Sequence, residues 1–207
     1  MKKRSVALFD LDGTFIIGNS LPRFMWFYEN PLTFLIKSIR SLPVLIKYIL
    51  NDIGNHEAKQ GIFRVFWGGV NKNEFTARAE EFSLRVLPGL VRKEAMDRFR
   101  WHIERKHECI LISASIQEYI IPWAEDVGFS KVFATSVQVD GNNTITGEIL
   151  DKNCYGAEKV RRIKEYLGAL SDYEIYAYGD SPGDKEMLEI ADYAFYRSFN
   201  MEIAYPK

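Results

Sequence analysis

Cysteine is scarce in this 207-residue chain: Cys109 and Cys154 stand far apart with no paired spacing. Two such residues read as reduced thiols of a cytoplasmic protein and exclude a disulfide framework or a cysteine metal site. Neither charge is in excess, with 27 basic against 28 acidic side chains and a net charge of −1, so composition gives no reason to expect a nucleic-acid partner. Long apolar runs are missing as well, and charges interrupt each one short of the roughly 18 residues a membrane span needs. Met1-Lys2-Lys3-Arg4 imitates the basic start of a secretion signal, yet only Val6 to Phe9 follow before Asp10, so secretion is not expected. What is present is a globular composition, 47% apolar and 27% charged, enough for one domain with a modest insertion. Aromatic residues are in surplus at 14%, and the excess gathers toward the N-terminus.

Short apolar runs alternate with helical patterns. Ser5–Phe9, Cys109–Ile112, Val132–Ala134, Ile175–Tyr178 and Ala194–Tyr196 read as strands; 89–106, Ile116–Val127, Ala157–Leu167 and Asp184–Ile190 read as helices. That alternation predicts an α/β fold, a parallel sheet covered on both faces, with chemistry at the carboxyl ends of the strands. Residues 137 to 150 alternate around Asp140-Gly141-Asn142-Asn143 and predict a small hairpin. The alternation breaks from about residue 16 to 86, a heavily apolar and helical stretch. The division expected is therefore a core of 1–15 and 87–207 and an inserted, mainly α-helical cap of 16–86.

Polar residues stand at three strand ends. Asp10-Leu11-Asp12-Gly13-Thr14 sets two carboxylates two residues apart, which repel one another unless a cation or a proton separates them. One can then stay ionised as nucleophile or ligand while the other holds a proton. Gly179-Asp180-Ser181-Pro182-Gly183-Asp184 supplies a second pair, and acids converging from two strand ends suit a hard cation such as Mg²⁺. Ser113 ends an apolar strand before a helix, where a hydroxyl and amides can hold phosphate. Lys159 lies early in a helix, where its charge opposes the dipole, and a fixed anionic partner would account for it. Each of these has a plain structural alternative, a turn, an N-cap or a solvated lysine, and it is the ordered set that is specific.

Asp10-Leu11-Asp12-Gly13-Thr14, Leu111-Ile112-Ser113, Lys159 and Gly179 to Asp184 together resemble the four motifs of haloacid-dehalogenase-superfamily phosphatases, subfamily IB, the branch that holds phosphoserine phosphatases. The resemblance implies a Rossmann-like core and a Mg²⁺-dependent phosphomonoesterase. In it Asp10 attacks phosphorus and forms an aspartyl-phosphate, and Asp12 protonates the leaving oxygen and then deprotonates water. The metal set it implies is Asp10, the Asp12 carbonyl, Asp180 and Asp184. Phosphoryl oxygens would meet Gly13, Thr14, Ser113 and Lys159. An acid at Asp12 separates the chain from dehalogenases and phosphonate-cleaving relatives, which release no alkoxide.

Substrate choice in such proteins belongs to the cap. Where phosphoserine-specific relatives carry a glutamate, this chain has Asn19 followed by Ser20, which argues against free phosphoserine; Arg64 could stand where they hold a substrate carboxylate. Residues 21 to 50 hold 18 apolar residues, four basic ones (Arg23, Lys37, Arg40, Lys47) and a single acid, Glu29. Asn30-Pro31 marks a helix start, and Phe34, Leu35, Ile36, Ile39, Leu42, Leu45, Ile46 and Ile49 form a broad apolar arc with Lys37, Arg40 and Lys47 beside it; Pro43 is expected to kink or restart this helix. Two outcomes stay open here. The arc packs inside the cap, the commoner fate of an amphipathic helix, or it lies in a membrane interface as a peripheral contact. The apolar, proline-interrupted cap is also similar in character to that of bacterial phosphatidylglycerophosphate phosphatases of the same subfamily. A small-molecule or lipid phosphomonoester is thus the expected substrate, and a membrane-surface binding protein with a vestigial site is the contrasting reading.

Overall fold

The computed structural model describes residues 3–200 and the backbone of 205 and 206. The first strand, β1 (Arg4–Phe9), leads into four helices, α1 (Ser20–Tyr28), α2 (Pro31–Ile49), α3 (Asn55–Trp67) and α4 (Lys72–Arg85). Then follow α5 (Lys93–Glu104), β2 (Glu108–Ile116), α6 (Gln117–Val127), β3 (Lys131–Val139) and β4 (Ile145–Leu150). The chain closes with α7 (Ala157–Leu167), β5 (Tyr173–Gly179), α8 (Lys185–Glu189), β6 (Tyr193–Tyr196) and β7 (Tyr205–Pro206). The sheet order is β4-β3-β2-β1-β5-β6-β7, with β3, β2, β1, β5 and β6 mutually parallel and β4 and β7 antiparallel at the edges. This is a Rossmann-like α/β fold, as the alternating pattern predicts.

Both sheet faces are dry, and strand periodicity explains why. Successive side chains point to opposite faces. Ala7 and Phe9 of β1 therefore join one core with Cys109, Leu111, Tyr176 and Tyr178, while Val6 and Leu8 join the other with Ile110, Ile112, Ile175 and Ala177. Much of the aromatic surplus lies in the first core. Strand register sets Phe9 beside Tyr178 and Tyr178 beside Phe195, and the three rings stack across neighbouring strands at centroid separations of 4.6 Å. A second aromatic cluster, Phe24, Trp67, Phe75, Phe82 and Tyr119, fills the space between the inserted helices and α6.

Three elements differ from expectation. The run expected as one helix over 89–106 is a 3₁₀ turn, Leu87–Leu90, followed by α5. Its first residues are otherwise engaged: the Ile17 amide donates to the Leu90 carbonyl (2.8 Å) and the Arg92 amide to that of Phe15 (3.0 Å), pinning the two ends of the insertion together. The second strand does not stop at Ser113 but continues, with a register irregularity, to Ile116. Finally, α2 runs through Pro43 as one helix rather than restarting there.

The hairpin of β3 and β4 forms around Asp140, whose carboxylate accepts from the Asn142 and Thr144 amides at 2.9 Å each. It also carries the insertion. The Gly69 amide donates to the Ile145 carbonyl and the Ile145 amide to that of Val70. Gly147 has φ +86°, and a Cβ there would run into the Arg64 backbone, so glycine is what lets α3 lie against β4.

Candidate active site

β1 pairs with β2 on one side and with β5 on the other, which makes its carboxyl end the topological switch point of the sheet, where such folds open a crevice. Asp10 and Asp180 each follow the last residue of β1 and β5, and Ser113 stands at the register irregularity of β2, three residues before that strand ends. The Asp10 amide still donates to the Tyr178 carbonyl (3.0 Å), so the ladder itself fixes where the first carboxylate begins. The chain then turns sharply, with the Gly13 amide donating to the Gly18 carbonyl at 2.8 Å. Gly13 has φ +78°, and a Cβ would meet the Asp180 carboxylate, so this position requires glycine on two counts.

Lys159, on the first turn of α7, is the hub. It is only 2% exposed, and its Nζ donates to Asp10 Oδ1 (2.6 Å), Asp184 Oδ1 (2.6 Å) and the Ile112 carbonyl (3.1 Å). All three donor positions of the ammonium are filled. The fixed anionic partners that the sequence position asks for are these two aspartates. Asp184 is wholly buried, and its other oxygen accepts from the Asp180 and Ser181 amides and the Ser181 hydroxyl. That reciprocal cap on the 3₁₀ turn Pro182–Asp184 holds the loop from Asp180 onward in shape.

Three carboxylates, Asp10, Asp180 and Asp184, bring oxygens within 4.8 Å of one another against the one ammonium. Burial and the neighbouring charges shift these groups in different directions. Burial pushes Asp10 up to about 7, with Lys159 opposing the rise and Asp184 adding to it. Asp180 is raised by burial and by Asp184. Asp184 goes the other way: against the burial that would raise it, Lys159 and the Ser181 hydrogen bonds hold it below the usual carboxylate range. Against its own burial, Asp10 and Asp184 hold Lys159 above the ordinary lysine range. An all-oxygen cluster short of positive charge is the donor set a divalent hard cation prefers, so the residues fit Mg²⁺.

Asp12 is held apart from this cluster. One oxygen accepts from the Ser20 amide (2.6 Å) and the other from the Ser115 hydroxyl. The Ser20 hydroxyl in turn donates to Ser115 (3.1 Å) and lies 3.0 Å from the Tyr119 hydroxyl, a buried chain of hydroxyls ending on Asp12. Thr14 donates to Asp180 at 3.4 Å. Ser113 is buried, and its hydroxyl accepts from the Ser115 amide at 3.0 Å.

A cavity of about 520 Å³ opens over these groups, lined by Asp10, Asp12, Ser113, Lys159 and Asp180 from below and by α1, α2 and α3 from above. A larger one of about 950 Å³ lies across the Gly13–Asp180 contact and includes neither Asp10 nor Lys159 among its described lining. Of the residues expected to choose substrate, Asn19 borders the smaller cavity but spends its side chain on the Leu21 amide as the N-cap of α1. Ser20 is fully buried and serves Asp12 instead. Arg64 is not in the cavity; it turns to the hairpin, where its Nε donates to Glu148 at 2.6 Å. Sequence reasoning missed Lys59. It reaches down from α3 to the Ala114 carbonyl (2.7 Å) and Asn153 Oδ1 (2.9 Å), and burial lowers it to about 8. A lone lysine on an amphipathic helix carries no motif, so nothing in the sequence marks it. Ser115 and Tyr119 were missed for a similar reason, since their part depends on the strand running past Ser113.

Residues 7–189 match the family model of the haloacid dehalogenase-like hydrolases. The CicA protein of Caulobacter vibrioides is 30% identical over 94% of this chain and 86% of its own length. A probable phosphatase of Mycobacterium tuberculosis is 28% identical over 93% and 68%. Among solved structures, a protein of unknown function from Bordetella pertussis shares the fold with a TM-score of 0.76, at 24% identity over 91% of this chain and 87% of that one. A phosphoserine phosphatase captured as a phospho-aspartyl intermediate analogue superposes with a TM-score of 0.59, at 13% identity over 92% and 84%.

Proposed function

Because the chain belongs to the haloacid dehalogenase-like hydrolases and is an enzyme of the phosphatase kind, we propose that it is a Mg²⁺-dependent phosphomonoesterase working through an aspartyl-phosphate on Asp10. The observation that carries this reading is the meeting of acids from two strand ends around one buried lysine, with a separately held aspartate two residues from the first. Asp10, Asp180 and Asp184 would hold the ion, with the Asp12 carbonyl as a further oxygen; Asp184, saturated by hydrogen bonds, suits a contact through water. When bound, Mg²⁺ supplies the positive charge that lets Asp10 ionise beside a phosphate dianion.

The remaining steps belong to the chain. The Asp10 carboxylate oxygen forms a bond to phosphorus while the bond to the leaving oxygen breaks, and Asp12 gives that oxygen its proton. Water then attacks the phosphorus, Asp12 takes the water proton, and the Asp10–phosphorus bond breaks. Lys159, the Ser113 hydroxyl and the Gly13–Thr14 turn would meet the phosphoryl oxygens as these develop charge. Residues 16–86 are the cap in this reading, and 1–15 with 87–207 the catalytic core. Hydrolysis of an aryl phosphate with Mg²⁺ is expected, with loss of about a thousandfold in Asp10→Asn; equal turnover by wild type and variant would refute the assignment.

A second reading of the substrate is favoured by the cavity. Leu21, Leu45, Tyr48, Ala58 and Ile62 line its cap side, and Lys59 is the one cation there beside Lys159 among the described residues. That apolar roof suits a phosphate carried on an amphiphile, such as a lipid phosphate, better than free phosphoserine, whose amino group finds no acid at Asn19. A panel of lysophosphatidate, phosphatidylglycerophosphate and phosphoserine distinguishes the two by relative kcat/KM.

A further inference from the structure

The face that α2 turns outward is its greasier one. The helix packs through Phe34, Lys37, Ser41, Val44 and Leu45, a stripe at three- and four-residue spacing, with Tyr48 at its end 41% exposed. This inner stripe is mixed. Its only fully buried member is Ser41, and Lys37 donates from it to Glu29 and to the Phe66 carbonyl at 2.6 Å each. On the opposite side Leu35 (56% exposed), Ile39 (56%), Ile46 (54%) and Ile49 (74%) stand in solvent with Leu32 and Leu42. The expectation that the arc packs inside the cap therefore fails for most of its members. Monomeric proteins rarely leave so large a contiguous apolar surface open.

Charge says what covers it. Residues 31–50 contain no Asp or Glu. Arg40 and Lys47 are exposed along one border of the apolar face, Arg23 is exposed on neighbouring α1, and these three take part in none of the ion pairs of the described residues. Trp26, 55% exposed, adds an amphipathic ring at the rim. A second copy of the chain packed two-fold on this face would bring its own Arg40 and Lys47 with it and would offer no acid from the same helix. A bilayer with anionic headgroups meets both requirements, taking the side chains of one face into the acyl boundary and the cations at its border into the headgroups. No helix among the described residues is long and apolar enough to cross a membrane, so α2 would lie in the plane.

We propose that α2 is a docking surface for an anionic lipid bilayer, with Leu32, Leu35, Ile39, Leu42, Ile46 and Ile49 inserted and Arg40 and Lys47 on headgroup phosphates. The inner edge of the same helix, Leu45 and Tyr48, lines the cavity over Asp10, so docking sets the mouth of that cavity at the bilayer surface. Only that last consequence rests on the phosphatase reading.

Flotation of the full chain with phosphatidylcholine vesicles, with and without phosphatidylglycerol, tests the surface. Wild type is expected to float with the anionic vesicles and to release as salt is raised. Partitioning should fall tenfold or more, to an order of magnitude, in Ile39→Glu/Ile46→Glu, and about fivefold in each of Arg40→Ala and Lys47→Ala. All of these variants should keep wild-type turnover of a water-soluble aryl phosphate without vesicles, which also reports that they are folded. Failure of wild type to float, or flotation undiminished in the double variant, would overturn the proposal. So would a wild-type dimer in sedimentation that the double variant dissociates, since that assigns the face to a second copy. A wild type that floats but turns over no aryl phosphate removes the phosphatase reading and leaves the docking surface standing.

Discussion

Asp12 owes its position to groups contributed from both sides of the cavity: the Ser20 amide at the start of α1 and the Ser115 hydroxyl from β2. A proton donor to a leaving oxygen matters most when that oxygen leaves as a strong base. Ser115→Ala is therefore expected to lower kcat for an alkyl phosphate by about tenfold while changing KM little, since general acid catalysis contributes about 10² to 10⁴ in all. For an aryl phosphate with an acidic leaving phenol, the same variant should lose much less. Equal losses on both substrates would mean that Ser115 merely supports the fold. The motif acids were legible in the sequence because strand ends and spacing announce them. Ser115 and Tyr119 were not, and Ser20 was read as choosing substrate rather than holding Asp12, because these contacts depend on β2 continuing past Ser113 and on α1 closing over it. Lys59 was hidden for the same reason, its partners Ala114 and Asn153 being supplied by other elements.

At the scale of elements, β1 and β6 were read to within one residue and β5 to within two, because alternation between two cores leaves little freedom in register. By contrast, β2 and β3 run several residues beyond their expected ends. α7 was read with its observed bounds, Ala157–Leu167. The face of α2 could not be read this way. Periodicity finds an apolar arc but not what opposes it, and here Phe66 and Glu29 recruit the side that holds Lys37 and Ser41. Pro43 bears on the same helix. It sits on the exposed side, within an unbroken helix, and its missing N–H leaves the Ile39 carbonyl without the usual partner. Pro43→Ala should therefore stabilise the protein by about 1–3 kcal/mol and leave aryl phosphate turnover unchanged. Thermal unfolding measures this, and a lowered midpoint would show that the proline shapes α2 to a purpose.

For the molecule as a whole, near-zero net charge is an average over unlike regions: carboxylates focused at one end of the sheet and an acid-free, basic α2. The aromatic surplus divides between a stacked layer on the sheet and the filling beneath the inserted helices. His102 belongs to the first of these, buried with its ring nitrogens 2.9 Å from the Tyr178 hydroxyl and 2.8 Å from His107. Burial, with His107 and two arginines adding to it, lowers His102 to about 3 from an ordinary value of 6.5. Between those values the unfolded chain binds the extra proton, so stability rises with pH in that window and is lost as pH falls below 6.5. Relative to His102→Gln, which carries no such proton, wild type should lose about 2 kcal/mol on going from pH 7 to pH 5. Denaturant unfolding of both proteins at the two pH values gives the difference, in which the opposite trend of Asp10 cancels. A difference independent of pH would show that His102 carries its proton in the fold.

In the proposed mechanism the phosphoryl group passes through Asp10. Acid quenching of the wild-type protein during turnover of an aryl phosphate with Mg²⁺, followed by peptide mapping by mass spectrometry, tests it most directly. A hydroxylamine-labile phosphoryl group on the peptide that contains Asp10, missing from Asp10→Asn, is the result expected. Turnover with the phosphoryl group on another residue, or undiminished turnover by Asp10→Asn, would contradict it.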